Sequence, residues 1–309
     1  MTNTLSRHAE RARAFVPGHI TGMFSIHDTY EDPLMSGSRG AGFSVEAGII
    51  TEVEAVKDDT LGIIVDFNDE RIEAPVTETV VRSLLEDYEM QFKVSVQHTS
   101  SIPVGVGFGA SGAAALGTAL ALAHIIDENI GPTKAAQYAH LAEIVNKTGL
   151  GDVLAQTMGG LEIRRHPGGP GHGDVINITP PASRRVLLAG SIGLETRDVL
   201  ANPKSRSLVN DAGEKAVSKL LQNPTFDEFI SVSREFSGKI GLMTERVSGA
   251  LAELTDAGYE KSSMVMLGDS VFCFCGENEV ADAAALLQHH WDESEILQTN
   301  LTESGGGLV

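Results

Sequence analysis

The stretch PVGVGFGASGAAALGTALALAH, residues 103–124, sets glycine at 105, 107, 109 and 112 and then runs on in small and aliphatic residues without a break. Alternate glycines leave a loop's amides bare and free to turn inward, and an alanine-rich run favours helix. The segment therefore reads as a tight loop that opens directly into a helix. GFGASG at 107–112 matches the dinucleotide fingerprint G-x-G-x-x-G letter for letter. That fingerprint needs a second strand ending in an acidic residue about twenty positions on. Here the position falls in DENIGP, between two helices, so the context fails. A Walker loop needs a lysine that the segment lacks. Close packing of a helix on a sheet would account for Gly112 and the alanines after it, but it leaves GVGFG without a reason. What remains is a phosphate cradle, with consecutive amides aimed at an anion and backed by the positive end of the helix that starts near Ser111.

Outward from this loop the chain divides in two. Residues 1–13 read as a loosely held leader. From residue 14 to about 100, short apolar or alternating segments (RAFVPGHI, GFSVEAGIITEVEAV, TLGIIVDFN, MQFKVSVQHTS) predict strands. One helix interrupts them over 77–90, with Val80, Val81, Leu84, Leu85 and Tyr88 on one face. After the glycine loop come a helix to about 126 and another over 133–148. TGLGDVLAQTMGGLEIRRH then gives a turn, a short helix and a strand, and HPGGPGHGD at 166–174 a turn-rich hairpin or loop. The PPAS step at 180–183 marks a boundary. Beyond it a strand, three helices across 205–257, two strands around Gly268 and Asp269 and a helix over 278–290 predict a small separate α+β unit. Residues 305–307 read as a loose end. The expected division is a leader at 1–13, a nucleotide-binding domain at 14–182 and a second domain at 183–309.

A chain of 309 residues is long enough for two cores. Its net charge of −19 argues against a nucleic-acid binder, which needs a basic face, and would suit a salt-rich cytoplasm. The longest apolar run, 113–126, is too short for a membrane span and is interrupted by Thr118 and His124. MTNTLSRHAERARAF carries no apolar stretch of the secretory kind. Cys273 and Cys275, one residue apart in VFCFCG, are too few for a disulfide framework or a zinc site and fit a reducing cytoplasm.

PVGVGFGASGA closely resembles P-x-G-x-G-x-G-x-S-[small]-A, the phosphate-binding signature of the superfamily of galactokinase, homoserine kinase, mevalonate kinase and phosphomevalonate kinase (the GHMP kinases). The resemblance implies an α+β fold of two domains. The N-terminal one would bind nucleotide and substrate around a left- or mixed-handed βαβ-type core, and the C-terminal one would be ferredoxin-like. It places ATP on Pro103, Gly105, Gly107, Gly109, Ala110, Ser111 and Gly112. Ser111 would either cap the helix or turn its hydroxyl to Mg²⁺. By the same resemblance Glu143, in AEIVNKTGLGD, holds Mg²⁺. Asp152, in TGLGD followed by A-x-x-x-G-G (Ala155 to Gly160), takes the proton of the acceptor hydroxyl. The plain alternatives are a solvated helix face for Glu143 and a helix N-cap for Asp152.

Other segments narrow the resemblance. FVPGHITGMF sits where these kinases carry an A-P-G-K-type opening, with His19 in the lysine's place. Taken together, P-G-H-I-T, G-S-R-G-A-G, H-L-A-E, T-G-L-G-D and G-G-L-E-I-R resemble the archaeal pantoate kinases, over nearly all of residues 14–290. The implied reaction is ATP-dependent phosphorylation of the terminal hydroxyl of (R)-pantoate to 4-phosphopantoate, on the archaeal route to coenzyme A, by a cytoplasmic homodimer. Pantoate carries a carboxylate and a primary alcohol, so its site should set an arginine opposite a base. Arg164 is the expected clamp, and by resemblance His140, Ser38, Arg39 and His19 complete the pocket. Packing or capping for His140, a carboxylate partner for Arg39 and a structural place for His19 stand as alternatives. A GHMP kinase for mevalonate or homoserine and a non-catalytic nucleotide or sugar sensor are the competing functions. The third glycine-rich motif of the superfamily is reduced here to Gly268 in MLGDSVF, with Asp269 and Ser270 left to line the site.

Overall fold

The computed structural model describes residues 9–193, 199 and 201–309. Its backbone is organised by a long antiparallel ribbon of β1 (Ala9–His27) and β2 (Gly37–Lys57), bent by register shifts at Pro17/Gly18 and Thr21/Met23. Such bulges tolerate a proline and re-aim the side chains that follow. The ribbon begins inside the segment expected to be a loose leader: residues 9–13 pair with 52–56, and Arg11 Nε donates to Glu54 at 2.7 Å. The alternation A-E-R-A-R-A is a strand pattern whose partner lies across the ribbon, and residues 1–8 lie outside the described residues. The chain continues through β3 (Gly62–Phe67), β4 (Glu70–Arg71), α1 (Pro75–Asp87), β5 (Phe92–Ser100), α2 (Ala110–Ile126) and α3 (Pro132–Asn146). Then come α4 (Asp152–Met158), β6 (Leu161–His166) and β7 (Asp174–Ile178).

β2 forks the first sheet. Its residues 49–57 pair with β5, whereas residues 40–43 pair with β6, so β5 ends where β6 begins. The glycine loop leaves β5 at this fork and leads into α2. That helix is apolar on every side because it is enclosed by the ribbon, α1 and α3. Gly117 lets it lie close: a Cβ there would stand 2.5 Å from Thr51 Oγ1.

The second sheet comprises β8 (Arg185–Ser191), β9 (Ser262–Met264), β10 (Asp269–Phe274) and β11 (Ile296–Asn300), antiparallel in the order β11-β8-β10-β9. The helices α5 (Pro203–Gln222), α6 (Phe226–Ile240) and α7 (Glu245–Asp256) lie between β8 and β9, and α8 (Val280–Leu287) connects β10 to β11. This is the ferredoxin-like order, with a largely helical first crossover. Asn202, Thr225 and Thr244 cap the helices with side-chain oxygens, and Gly241 ends α6 in the left-handed region. Gly307, the last residue of the end expected to be loose, joins Leu308 in β12 (Gly307–Leu308) on the free edge of β1, opposite Phe15 and Ala14. Cys273 and Cys275 are buried and unpaired.

The two sheets share an interior. The Phe43 ring on β2 lies 5.2 Å from Phe272 and 4.9 Å from Phe274, both on β10. Gly213 on α5 rides against the Phe24 carbonyl, which a Cβ would approach to 2.0 Å. Among the described residues no helix is long and apolar enough to cross a membrane.

Candidate active site

The glycine loop is tied down by its carbonyls. Phe108 O accepts from His19 N at 3.1 Å, Gly109 O from Gln156 Nε2 at 2.9 Å and Val106 O from Ser270 Oγ at 2.8 Å. Among the described residues the amides of 104–109 donate to no group in the chain. Val106 to Gly109 are buried or half-buried, where amides need a partner, so their unbonded N–H groups beside a helix N-terminus make a seat for an anion. Gly107 and Gly109 hold φ of +87° and +73°, where a side chain is strained, and Gly109 rather than Ser111 is the N-cap of α2. Gly268 packs against this loop, since a Cβ on it would stand 2.1 Å from Val106 O. The reduced third motif thus buttresses the cradle. Asp269 is held by Thr244 Oγ1 at 2.5 Å.

Ser111 turns its hydroxyl to Glu143 Oε1, which also accepts from Thr148 Oγ1 at 2.7 Å. Glu143 is buried, not on a solvated face. Gly149 makes room for it, because a Cβ would lie 2.0 Å from Oε2. Burial pushes the Glu143 carboxyl up to about 7, against the pull of the two hydroxyls and with the charge of Asp152 adding to the rise.

Asp152 opens α4, where Gly151 and not the aspartate is the N-cap. Its Oδ1 faces His19 Nδ1 at 2.8 Å, and His19 Nε2 faces Glu162 Oε1 at 3.1 Å. Burial alone would lower the imidazole, but the charge of Glu162 and the bonds to both carboxylates outweigh it and raise His19 to about 9. His19 is therefore an imidazolium that donates from both nitrogens. Burial would raise Asp152, but the bond and charge of His19, with Arg164 behind, hold it below the ordinary carboxylate range.

Arg164, buried on β6, gives Nη1 to Glu162. Its Nε has no partner, and among the described residues no acceptor bonds Nη2. Gly151 and Gly40 leave the space beside these atoms, where a Cβ would stand 2.8 Å from Nε and 2.7 Å from Nη2. A cleft lined by Thr21, Ser38, Gly151, Asp152, Arg164 and Leu267 brings this free edge and the carboxylate of Asp152 into one space.

Three expected substrate contacts lie elsewhere. His140 donates from Nε2 to the Ser36 carbonyl at 2.9 Å, and burial lowers it to about 4, so it is neutral. It fastens the turn before Ser38 and does not line the cleft. Arg39 bonds Glu214 on α5 and the Arg165 carbonyl, because adjacent strand residues point to opposite faces and Ser38 takes the cleft side. His19 stands behind Asp152 with no exposed surface. Glu162 and Gln156, both fully buried, were not anticipated. Glu162 had a signal: in LEIR the two charged residues share one strand face between Leu161 and Ile163.

Comparisons with known proteins accord with this geometry. The family model described as GHMP kinases N terminal domain matches residues 76–160. The chain is 38% identical to a pantoate kinase of Thermococcus kodakarensis over 283 residues, 89% of this chain and 91% of that one. It is 30% identical to a pantoate kinase of Methanocaldococcus jannaschii, over 89% of this chain and 97% of that one. A solved phosphotransferase related to the CoA biosynthesis pathway superposes with a TM-score of 0.87 at 31% identity, covering 97% of this chain and 99% of its own. Homoserine kinase from Cytophaga hutchinsonii shares the fold, with a TM-score of 0.72 at 14% identity over 100% of this chain and 99% of its own.

Proposed function

The chain belongs to the pantoate kinase family of the GHMP kinases, and we propose that its cleft transfers the γ-phosphoryl group of ATP to the terminal hydroxyl of (R)-pantoate. The observation that carries this reading is the shared space between Asp152 and the unpaired edge of Arg164. A side-on guanidinium edge binds a carboxylate through two parallel hydrogen bonds, and Ser38 stands beside it with a free hydroxyl. The acid of the substrate is held there while its alcohol reaches Asp152.

Asp152 Oδ1 is engaged by His19, which leaves Oδ2 to receive the proton. As the hydroxyl oxygen bonds to the γ-phosphorus, its proton passes to Oδ2. The bond from that phosphorus to the bridging oxygen breaks, and its electron pair leaves with ADP. Such transfers are loose, so Asp152 contributes by orienting the oxygen as well as by accepting its proton. The amides of the glycine loop and the first turn of α2 stabilise the charge on the phosphates.

Glu143 and Ser111 fit Mg²⁺: they are oxygen donors, and a carboxyl raised by burial gains from a cation. The ion, when bound, compensates the phosphate charge. Among the described residues no three His, Cys, Asp or Glu side chains form a closed metal cage.

ADP release with pantoate, mevalonate and homoserine offered side by side tests the reading. Turnover with pantoate well above the other two is expected, and equal or faster turnover with either would overturn it.

A further inference from the structure

We propose that Glu162 is a positioning residue serving both ends of the transfer: it holds His19 against Asp152 and turns the free edge of Arg164 into the cleft. The inference rests on the reading of Asp152 and Arg164 given above. Glu162 is fully buried on β6, and its Oε1 faces His19 Nε2 at 3.1 Å while also accepting from Arg164 Nη1. One oxygen thus joins the histidine behind the proton acceptor to the arginine of the substrate clamp.

The surroundings of His19 leave it no other arrangement. Asp152 on α4 and Glu162 on β6 are the charged groups acting on the ring. Thr21 on β1 offers a hydroxyl at 3.5 Å, Gly42 on β2 leaves room for the ring, and the glycine loop meets the His19 backbone at Gly109. A Cβ on Gly42 would stand 2.6 Å from His19 Nε2, and among the described residues Glu162 is the hydrogen-bond partner of that nitrogen. A neutral imidazole has one N–H and cannot donate to two carboxylates, so Glu162, as the second acceptor, is what holds the ring as an imidazolium and sets a positive charge against Asp152. His19, Glu162 and Arg164 are buried and Asp152 half-buried, two anions with two cations, and removing the Glu162 charge leaves the buried pair of cations with one carboxylate.

The same oxygen sets the arginine. With Nη1 taken by Glu162, the edge that remains is Nε with Nη2, the side-on pair suited to a carboxylate. Without Glu162, Nη1 would be as free as the others and the guanidinium could turn.

Glu162→Gln in the full chain tests this, since it keeps the shape and removes the charge. Pantoate KM should rise about tenfold with ATP KM within about twofold, and the alkaline limb of kcat should move down by about one pH unit or more. The His19 ring signal, identified by its absence from His19→Asn, should titrate at lower pH in Glu162→Gln. In a His19→Asn background, Glu162→Gln should lower kcat no further yet still raise pantoate KM. An unmoved ring titration would overturn the proposal. So would a full additional loss of kcat in the double variant, or parallel rises in both KM values with a lowered Tm. If the parent enzyme prefers another acceptor, the substrate reading fails, while the ring titration and the cycle run with that acceptor still decide the role of Glu162.

Discussion

The nucleotide end of the cleft is made of backbone and the acceptor end of side chains. From Val104 to Gly109 the proposed phosphate seat offers amides, which have no pKa and no rotamers. Around Asp152 the proposed acceptor end offers side chains, His19 from β1 and Glu162 and Arg164 from β6, joined to one another by hydrogen bonds. The two constructions fail differently. A cradle of amides is indifferent to pH but cannot admit a Cβ, whereas a buried charge network tolerates its backbone and is exposed to pH.

Asp152→Ala should break the acceptor end most completely, with kcat down about a thousandfold and ATP KM nearly unchanged in steady-state kinetics. Near-normal turnover in Asp152→Asn would remove the aspartate from the role of base. Arg164→Ala should come next, raising pantoate KM by about fiftyfold while ATP KM holds, as expected for charge-assisted bonds lost from a buried site. Gly107→Ala probes the other end. At φ +87°, with a Cβ 3.1 Å from Gly268 N, it should raise ATP KM about tenfold and leave pantoate KM alone. A matching rise for pantoate would show that the two ends are not separable.

The pH dependence of stability sharpens the contrast. His19 binds its proton more tightly folded, at about 9, than unfolded, near 6.5, so the folded state holds the extra proton between those values. Its contribution is complete below about pH 6.5 and is lost as pH rises through 9. Denaturant titrations across that window should show the loss in the parent chain and not in His19→Asn. The smallest effect is expected for Arg39→Ala. Its pair with Glu214 is partly solvated, so stability should change by less than about 1 kcal/mol and both KM values by less than about twofold.

The same contrast explains what could be read in advance. The cradle occupies adjacent residues and obeys a local rule, so its glycines and the following helix were legible, whereas the ferredoxin-like form of the second half followed from the resemblance, the strand at Ile296–Asn300 having no expectation of its own. Glu143 and Asp152 followed from the resemblance carried by short segments. The partners of His19 did not, because they lie 133 and 143 residues away and no spacing expresses that distance. Arg39 and Ser38 could not be sorted until the bulged ribbon fixed which face each takes. His140 looked available because a helix face in a sequence does not reveal the Ser36 carbonyl above it. The chain ends looked loose because strands at a sheet edge take their order from partners far along the chain.

The ribbon of β1 and β2 has a mechanical consequence. Nineteen residues of continuous strand pass from the helical layer over α2 to the aromatic cluster under α6, so neither half can tilt far without bending the other. A cut at the proline step near residue 181 would expose phenylalanines on both fragments rather than free two folded pieces. Heating should accordingly melt the molecule in one transition.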